Sequence, residues 1–258
     1  MQPAMDNTTN IALSRLAAES RAVDITANNI ANASTPGYQA ERLVFADWLV
    51  AQRGTDAPRG GQNLIFTQDR ATYRDQSQGS FSHTGNPLDL AIGGQGYFTV
   101  QTANGVRLTR AGRFAPDATG AITDSAGNTL LGSTGQPLKL GSTDRDISVA
   151  ADGTISAKTA AGQNSQIGKI AIVAPADPYA LTAEGNRLFR ANGPTAPVSA
   201  PKLSQGAIED SNVQPVSEIT RLIAQERDFQ MVTKFVEAEG ERKQAAIAKL
   251  ADIGAAGG

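Results

Sequence analysis

The sequence predicts an α+β fold, in which an α-helix at each end of the chain flanks a central antiparallel all-β domain. Near both ends, apolar residues recur at alternating steps of three and four, the spacing that places them on one helix face. Between about residues 81 and 205, apolar and polar residues alternate and turn signals recur, which is typical of short strands. With 258 residues, the chain has room for one or two domains of about 150 residues.

The N-terminal helix is predicted over residues 6–33, a stretch without Gly or Pro. Pro36-Gly37 ends it, because proline disfavours helical backbone before it and glycine permits a turn. One narrow face, which we call the N-terminal seam, carries Leu13, Leu16, Ser20, Val23, Ala27 and Ile30.

The C-terminal helix is predicted over residues 216–252. Its own narrow face, the C-terminal seam, carries Ile219, Leu222, Glu226, Phe229, Thr233, Val236, Gly240, Lys243, Ile247 and Leu250. A single helix cannot bury a narrow apolar face without a partner. We therefore expect the two helices to pack on each other, or on helices of neighbouring subunits, as a coiled coil. The residues expected to form this assembly interface are Leu13, Leu16, Val23, Ile30, Ile219, Leu222, Phe229 and Val236.

The segment between the helices divides into an arm and a β domain. Residues 52–78 are polar and glycine-rich, so residues 37–80 are interpreted as an extended arm or linker. Further on, Asn104-Gly105 predicts a hairpin turn between apolar runs. The predicted domains are therefore a terminal helical assembly domain of residues 1–36 and 212–258, the arm, and an outer β domain of residues 81–205.

Composition excludes several classes of function. The formal charge of −2 leaves no basic surplus for nucleic-acid phosphates. The absence of cysteine excludes disulfides, thiolate nucleophiles and cysteine-based metal sites. No stretch approaches the length of about 18 apolar residues that a membrane span needs. Residues 1–10 lack the basic and apolar regions of a cleavable secretory signal.

No pattern of catalytic residues emerges. His83 is the one histidine and has no acidic residue within four positions, which favours a solvated or structural role. The glycines of residues 93–96 lack the Lys-Ser/Thr of a phosphate-binding loop, and the aspartates of residues 117–124 and 144–146 lack calcium-loop spacing. The charged residues of the C-terminal helix, including Glu218, are interpreted as a solvated face. We therefore expect no catalytic residues, cofactor, metal or small-molecule substrate.

Four segments resemble the signatures of flagellar axial proteins, the family of rod, hook and hook-associated subunits. They are ANNIANASTPGY at residues 27–38, TGNPLDLAIGGQGYF at 84–98, TRAGRF at 109–114 and GAIEDSNV at 206–213. The residues that carry the resemblance are Asn28, Asn29, Asn32, Ser34, Thr35, Pro36, Gly37, Tyr38, Leu88, Asp89, Gly94, Gly96, Arg110, Gly112, Glu209, Ser211 and Asn212. Chain length and the NPLDL version of the second motif are most similar to proximal-rod subunits.

This resemblance implies a self-assembling structural subunit of the bacterial flagellum basal body. Its terminal helices would form an inner coiled-coil tube shared among subunits, the β domain would face outward, and the rod would transmit torque for motility. The implied partners are other rod subunits, further copies of the chain and the type III export apparatus, which would deliver the subunit to the periplasmic rod without a cleaved signal. A distal-rod or hook subunit remains the nearest alternative. From a different class, a secreted β-domain binding protein or cell-wall enzyme also remains open.

Overall fold

The computed structural model describes residues 4–51, 63–177, 179–185 and 187–256. It confirms the α+β prediction, because the described chain has an α-helix near each end and mostly β-strands between them. Residues 52–62 of the predicted arm, and the side chain of Leu250 in the C-terminal seam, lie outside what is described.

The chain divides into two compact units. Unit one combines Met1–Ala31, Glu41–Tyr73 and Gln214–Gly258, whereas unit two combines Asn32–Ala40 and Arg74–Val213. The predicted arm of residues 37–80 is thus divided between both units. Its central part groups with the terminal helices because it contains paired strands, which the polar composition did not predict.

Unit one contains two long helices and a two-stranded sheet. These elements are α1 (Ala4–Ala31), β1 (Glu41–Ala51), β2 (Asn63–Arg74) and α2 (Pro215–Ala256), with β1 paired to β2. Thr26 of α1 contacts Gln225 of α2, and Ala12, further back in α1, lies by Val232, further on in α2. The two helices therefore pack antiparallel.

The helix ends follow local chemistry. α1 ends at Ala31, where the Thr35 amide donates to the Asn32 carbonyl at 3.0 Å and closes a turn. Gly37 then adopts φ +69°, in the region that glycine tolerates best. α2 continues through Gly240 without a break over 42 residues, because one glycine costs a helix only about 1 kcal/mol relative to alanine.

Unit two is built from short antiparallel strands. Among the described residues, its main sheet has nine strands, and a three-stranded sheet and two two-stranded sheets accompany it. The strands are β3 (Phe81–His83), β4 (Leu90–Gly93), β5 (Tyr97–Thr102), β6 (Gly105–Thr109), β7 (Phe114–Pro116), β8 (Ile122–Asp124), β9 (Thr129–Leu130), β10 (Arg145–Val149), β11 (Thr154–Lys158), β12 (Asn164–Lys169), β13 (Ile172–Pro175), β14 (Leu181–Ala183), β15 (Leu188–Ala191), β16 (Thr195–Pro197), β17 (Lys202–Gln205) and β18 (Ala207–Glu209).

The larger of two apolar clusters forms most of the core of unit two. It is dominated by aliphatic side chains, as the low aromatic content requires, with Phe98 and Phe114 packed edge to face at 5.3 Å between ring centroids. Asp89 and Ala91, which alternate with Leu88, Leu90 and Ile92, are buried as well. Both edges of this segment are paired, since β17 pairs along β4 and the Leu90 amide donates to the Gly112 carbonyl, and side chains on both of its faces are buried.

The predicted hairpin is present, but with a different turn. β5 pairs with β6 in the register Thr102↔Gly105, so Ala103 and Asn104 form the two-residue loop. Gly105, which the sequence placed inside the loop, instead begins β6 with φ +95°. A left-handed glycine directly after a turn lets the ribbon keep its twist.

Gly112 offers a test of how tightly β4 is covered. A Cβ built at Gly112 would lie 1.6 Å from the Leu90 carbonyl oxygen, so Gly112→Ala must push the two segments apart. We expect it to lower the free energy of unfolding of unit two by about 3 kcal/mol, measured by urea unfolding. Gly193→Ala is the matched control, because its Cβ would meet open space, and should change stability by less than about 0.5 kcal/mol. Equal effects of the two variants would contradict the close packing.

Candidate assembly interface

The apolar seam residues are not fully buried within the chain. Leu13 is 47% exposed and Ile219 is 46% exposed. The other six expected interface residues are half-buried, namely Leu16, Val23, Ile30, Leu222, Phe229 and Val236. Their apolar surface therefore remains partly available for another helix.

α1 buries a different face from its seam. Ala18, Ala22, Thr26 and Asn29 are buried, at steps of four, four and three. Small side chains permit close approach, and the Thr26 hydroxyl donates to Gln225 Oε1 at 2.8 Å. Sequence reasoning missed this face because it selected the largest apolar residues, whereas alanines and short polar groups hold α1 in unit one.

α2 also exposes large apolar side chains. Those exposed along its described length are Val216, Ile219, Ile223, Met231, Phe235 and Ile247. Contiguous exposed apolar surface on a protein commonly marks an interaction site.

One groove lies directly on the α1–α2 pair, and we call it the helix groove. It has a volume of about 360 Å³ and is lined by Ile11, Ala12, Arg15, Asp228, Met231, Val232 and Phe235. Met231 is 63% exposed at its edge. The groove combines an apolar floor with one side chain of each charge, Arg15 and Asp228.

A second carboxylate lies near this groove. Burial raises the pKa of the Glu19 carboxyl above its usual value; Arg15 acts in the opposite direction, and Asp228 raises the pKa further. The Arg15 guanidinium approaches Glu19 at 3.9 Å. Negative charge is therefore unfavourable here.

Glu218 does not lie on a solvated face, as its sequence pattern predicted. Its side chain is only 1% exposed and accepts a 2.7 Å ion-paired hydrogen bond from Arg42 of β1. Arg221 lies 3.6 Å away, one turn along the helix. The prediction was wrong because Arg42, the partner that permits burial, is distant in sequence.

Two motif asparagines hold the backbone of neighbouring segments. In unit one, Asn29 accepts from the Glu41 amide and donates to the Glu41 carbonyl, both at 2.8 Å. In unit two, Asn212 accepts from the Ala40 amide at 2.7 Å, and its side-chain amide donates to the carbonyls of Asp75 and Ser77 at 2.8 and 2.9 Å. An asparagine suits such a position because one side chain supplies both a donor and an acceptor.

Arg110 and Glu209 form a buried ion pair in unit two. Arg110 Nη2 lies 2.9 Å from Glu209 Oε2, and each side chain is 4% exposed. Arg110 Nη1 also donates to the carbonyls of Gly94 and Gly96, at 2.9 and 2.7 Å. The Gly79 amide donates to the other carboxylate oxygen at 3.2 Å. The pair therefore fixes segments that are far apart along the chain.

The glycines of the motifs allow close backbone approach. A Cβ at Gly37 would lie 2.6 Å from the Ala111 nitrogen, and one at Gly96 would lie 2.8 Å from a methyl group of Ile172. The Gly37 amide donates to the Glu209 carbonyl at 2.8 Å. The first and last motifs thus meet within unit two.

The remaining motif residues have more local positions. Leu88 belongs to the core, and Asp89 accepts from Asn86 while its carbonyl accepts from the Gly206 amide. Ser211 accepts from the Val213 amide. Asn28 and Ser34 are exposed, whereas Asn32, Thr35, Pro36 and Tyr38 are half-buried.

Sequence reasoning missed Gln39 and Arg74. Gln39 accepts from the buried Tyr97 hydroxyl at 3.0 Å, and its carbonyl accepts from Arg74. Arg74 also lies over the rings of Tyr38 and Phe189. Both residues fall in the segment interpreted as an arm, whose composition gave no signal of these contacts.

The described residues show no assembled reactive site. His83 lies at the end of β3 and is exposed. Residues 93–96 form a corner between β4 and β5, with Gly94 and Gly96 at positive φ. Within the described ranges, no three His, Cys, Asp or Glu side chains cluster where they could hold a metal ion. No helix in that part of the chain has the length and apolar character to cross a membrane.

Comparison with known families matches three segments in order. Residues 10–39 match the flagella basal body rod protein family, residues 91–157 the flagellar hook protein FlgE/F/G D1 domain, and residues 204–249 the flagellar basal body rod FlgEFG protein C-terminal family. The chain is 35% identical to the flagellar basal-body rod protein FlgF of Caulobacter vibrioides, over 96% of this chain and all of the relative. The chain belongs to the flagellar basal-body rod protein family. It is a structural subunit of that rod.

Other relatives of this rod protein support the same family. FlgF of Mesorhizobium japonicum is 31% identical over 95% of this chain and 98% of its own length. FlgG of Bacillus subtilis is also 31% identical, over 85% of this chain and 89% of its own length. The family resemblance seen in the four motifs is therefore confirmed.

The Arg110–Glu209 pair gives a stability prediction for the rod protein. Arg110→Met leaves a buried carboxylate without its cation, so we expect a loss of about 3–5 kcal/mol in the free energy of unfolding, measured by urea unfolding. Adding Glu209→Gln removes the orphaned charge, and the double variant should lose less than the two single losses combined.

Lys158→Met is the matched control, because the Lys158–Asp146 pair is exposed and should contribute less than about 1 kcal/mol. A loss from Arg110→Met no larger than this control would contradict a structural role for the buried pair.

Glu19 gives a pH-dependent prediction. Because its folded-state pKa is raised, the charged form is disfavoured in the folded helices, and this penalty disappears as pH falls through the folded pKa. Glu19→Gln should therefore raise the melting temperature of the helices at pH 7, measured by circular dichroism at 222 nm. The difference from the wild type should shrink as pH falls through the raised pKa of the Glu19 carboxyl, below which Glu19 itself is protonated. A difference that grows at low pH would contradict this assignment.

Proposed function

We propose that this rod protein is a proximal-rod subunit that assembles through its terminal helices into a coiled-coil inner tube. The observation that carries the proposal is that both apolar seams remain partly exposed although α1 and α2 already pack together. If the α1–α2 pair needed no further partner, it would bury its largest apolar side chains. Leu13 and Ile219 instead lie about half exposed, which favours further helices as their partners.

Self-assembly into a tube needs a contact between subunits that repeats without closing into a ring. A heterologous contact between identical subunits produces a helical polymer unless its rotation closes a ring. The partners proposed for this chain are therefore further copies of itself and other rod subunits. Such a subunit acts mechanically, by transmitting torque, and needs no catalytic residues, cofactor or small-molecule substrate.

Export and location follow from the proposed assembly. A chain that builds a periplasmic rod has to cross the inner membrane, and we propose the flagellar type III export apparatus as its route. No nucleic-acid partner or membrane insertion is part of this proposal. The near balance of charges over the whole chain, with 23 basic and 25 acidic residues, supports the exclusion of a nucleic-acid partner.

The choice of proximal rod rests on relatives. The match to FlgF of Caulobacter vibrioides extends over the full length of that protein, while FlgG of Bacillus subtilis is matched over a smaller share of both chains. A distal-rod subunit is accordingly the second candidate.

Charge placed in the N-terminal seam tests the proposed assembly. Leu16→Asp with Val23→Asp should abolish incorporation into basal bodies, because two carboxylates would be buried at the helix interface. Incorporation is measured by immunoblotting of purified basal bodies, and motility by swimming in soft agar. Unit two should stay folded, as judged by its urea unfolding.

Ala17→Asp is the control for added charge, because Ala17 lies on α1 outside the seam and is exposed. That variant should be incorporated and motile. Normal motility of the Leu16/Val23 double variant would refute assembly through the seam.

A further inference from the structure

The tripeptide Ala-Asn-Gly occurs twice in unit two, at residues 103–105 and 191–193. An asparagine followed by glycine is chemically reactive, because the backbone nitrogen of the glycine can attack the carbon of the side-chain amide, and glycine has no Cβ to hinder the approach. Asn104 and Asn192 are both exposed. The two sites therefore have the same local chemistry, and a difference between them has to come from the fold.

The side chain of Asn104 is not held by the loop in which it lies. The Asn104 backbone amide donates to Thr102 Oγ1 at 3.1 Å, and the Thr102 hydroxyl donates to the Gly105 carbonyl at 2.8 Å. Neither bond involves the Asn104 side chain, which makes no hydrogen bond to any residue that the structure describes. The carboxamide can therefore rotate towards the Gly105 nitrogen without breaking a hydrogen bond.

The side chain of Asn192, by contrast, is held in place. Its Nδ2 donates to the Thr182 hydroxyl at 2.7 Å, and its backbone amide donates to the Ala180 carbonyl at 2.9 Å. Thr182 belongs to β14, which pairs with β15 directly before Asn192. Rotation of the carboxamide towards the Gly193 nitrogen would break the bond to Thr182, so the same reaction has a higher barrier at this site.

A positive charge also lies beside Gly105. A Cβ built at Gly105 would lie 3.7 Å from Arg107 Nη1, and that nitrogen donates to the Val106 carbonyl at 2.9 Å. Arg107 Nε is paired with Glu184, so the guanidinium is fixed next to the turn. A nearby cation stabilises negative charge, here on the deprotonated Gly105 nitrogen. A Cβ built at Gly193 would meet no described atom within 4 Å.

We propose that Asn104 is a site of spontaneous deamidation and isomerisation, whereas Asn192 is protected by its bond to Thr182. The Gly105 backbone nitrogen loses its proton to water or hydroxide and bonds to Asn104 Cγ, the Cγ–Nδ2 bond breaks, and ammonia leaves. Water then opens the resulting succinimide ring. Opening at Cγ yields aspartate, and opening at the backbone carbonyl carbon yields isoaspartate. The net reaction consumes one water and releases one ammonia, without an oxidant or a reductant.

The products change the hairpin that carries them. The main chain of isoaspartate runs through its side chain and is one carbon longer, so the loop no longer fits the register Thr102↔Gly105. Aspartate and isoaspartate both add a carboxylate near Arg107. The reaction thus adds negative charge, and in part backbone length, to one exposed turn of unit two, and it does not depend on rod assembly.

Peptide mapping of the purified full chain tests the proposal. The chain is incubated at mildly alkaline pH, digested, and analysed by mass spectrometry for the mass increase of amide-to-acid conversion, and isoaspartate is detected by enzymatic methylation with an isoaspartyl methyltransferase. We expect conversion of Asn104 to be about fivefold faster than conversion of Asn192, the ratio that corresponds to one net hydrogen bond. Equal rates, or faster conversion of Asn192, would overturn the proposal.

Two positions separate the contributions of the surroundings. Thr182→Val removes the hydroxyl that holds Asn192 and should accelerate conversion there about fivefold, leaving Asn104 unchanged. Arg107→Met should slow conversion of Asn104 about threefold, within the range of an exposed charge, and Arg107→Lys should restore most of the rate. No acceleration by Thr182→Val would refute the protection of Asn192, and no slowing by Arg107→Met would refute the role given to Arg107.

The unfolded chain is the matched reference for both sites. In concentrated urea neither the turn nor the bond to Thr182 persists, so the two Ala-Asn-Gly sites should react at similar rates. A difference as large as that in the folded chain would show that local sequence sets the rates, and would overturn the explanation by the fold.

Discussion

The buried ion pair between Arg110 and Glu209 is the interaction on which unit two depends most. Two charges lose their hydration at this position, and the loss is offset by their close approach and by hydrogen bonds to surrounding backbone groups, although Arg110 Nε and Glu209 Oε2 have no hydrogen-bond partner among the described residues. Arg110 holds the carbonyls of Gly94 and Gly96, and Glu209 holds the amides of Gly79 and Gly37 through its side chain and backbone. A constraint that joins so many segments explains why the motif residues are glycines and polar groups of fixed shape.

Unit one differs, because the apolar faces proposed for assembly are left partly exposed. Close packing of α1 uses Ala18, Ala22 and Thr26, which consume little apolar surface and leave the leucine and valine side chains partly exposed. The single chain thereby retains apolar surface for the proposed association. One face of α1 thus packs within unit one, and the other face is the one proposed to bind a neighbouring subunit.

Sequence reasoning succeeded where the relevant signal was local. The 3/4 spacing located both helices, turn residues located the strands, and four ordered motifs identified the family, because each depends on residues close together in sequence. It failed where burial depends on a distant partner. Glu218 resembles a solvated helix residue until Arg42 is placed beside it, and residues 63–74 resemble an arm until β1 pairs with them.

The sequence by itself determined the α+β composition, the order of the elements and the membership of the rod family, since periodicity and motif order survive without coordinates. Only the tertiary structure decided which face of α1 is buried, how Asn29 and Asn212 bind neighbouring backbone, and where an open groove remains. The physical reason is that helical periodicity specifies a set of faces but not their partners. Burial and hydrogen bonding arise between residues that the chain brings together only when it folds.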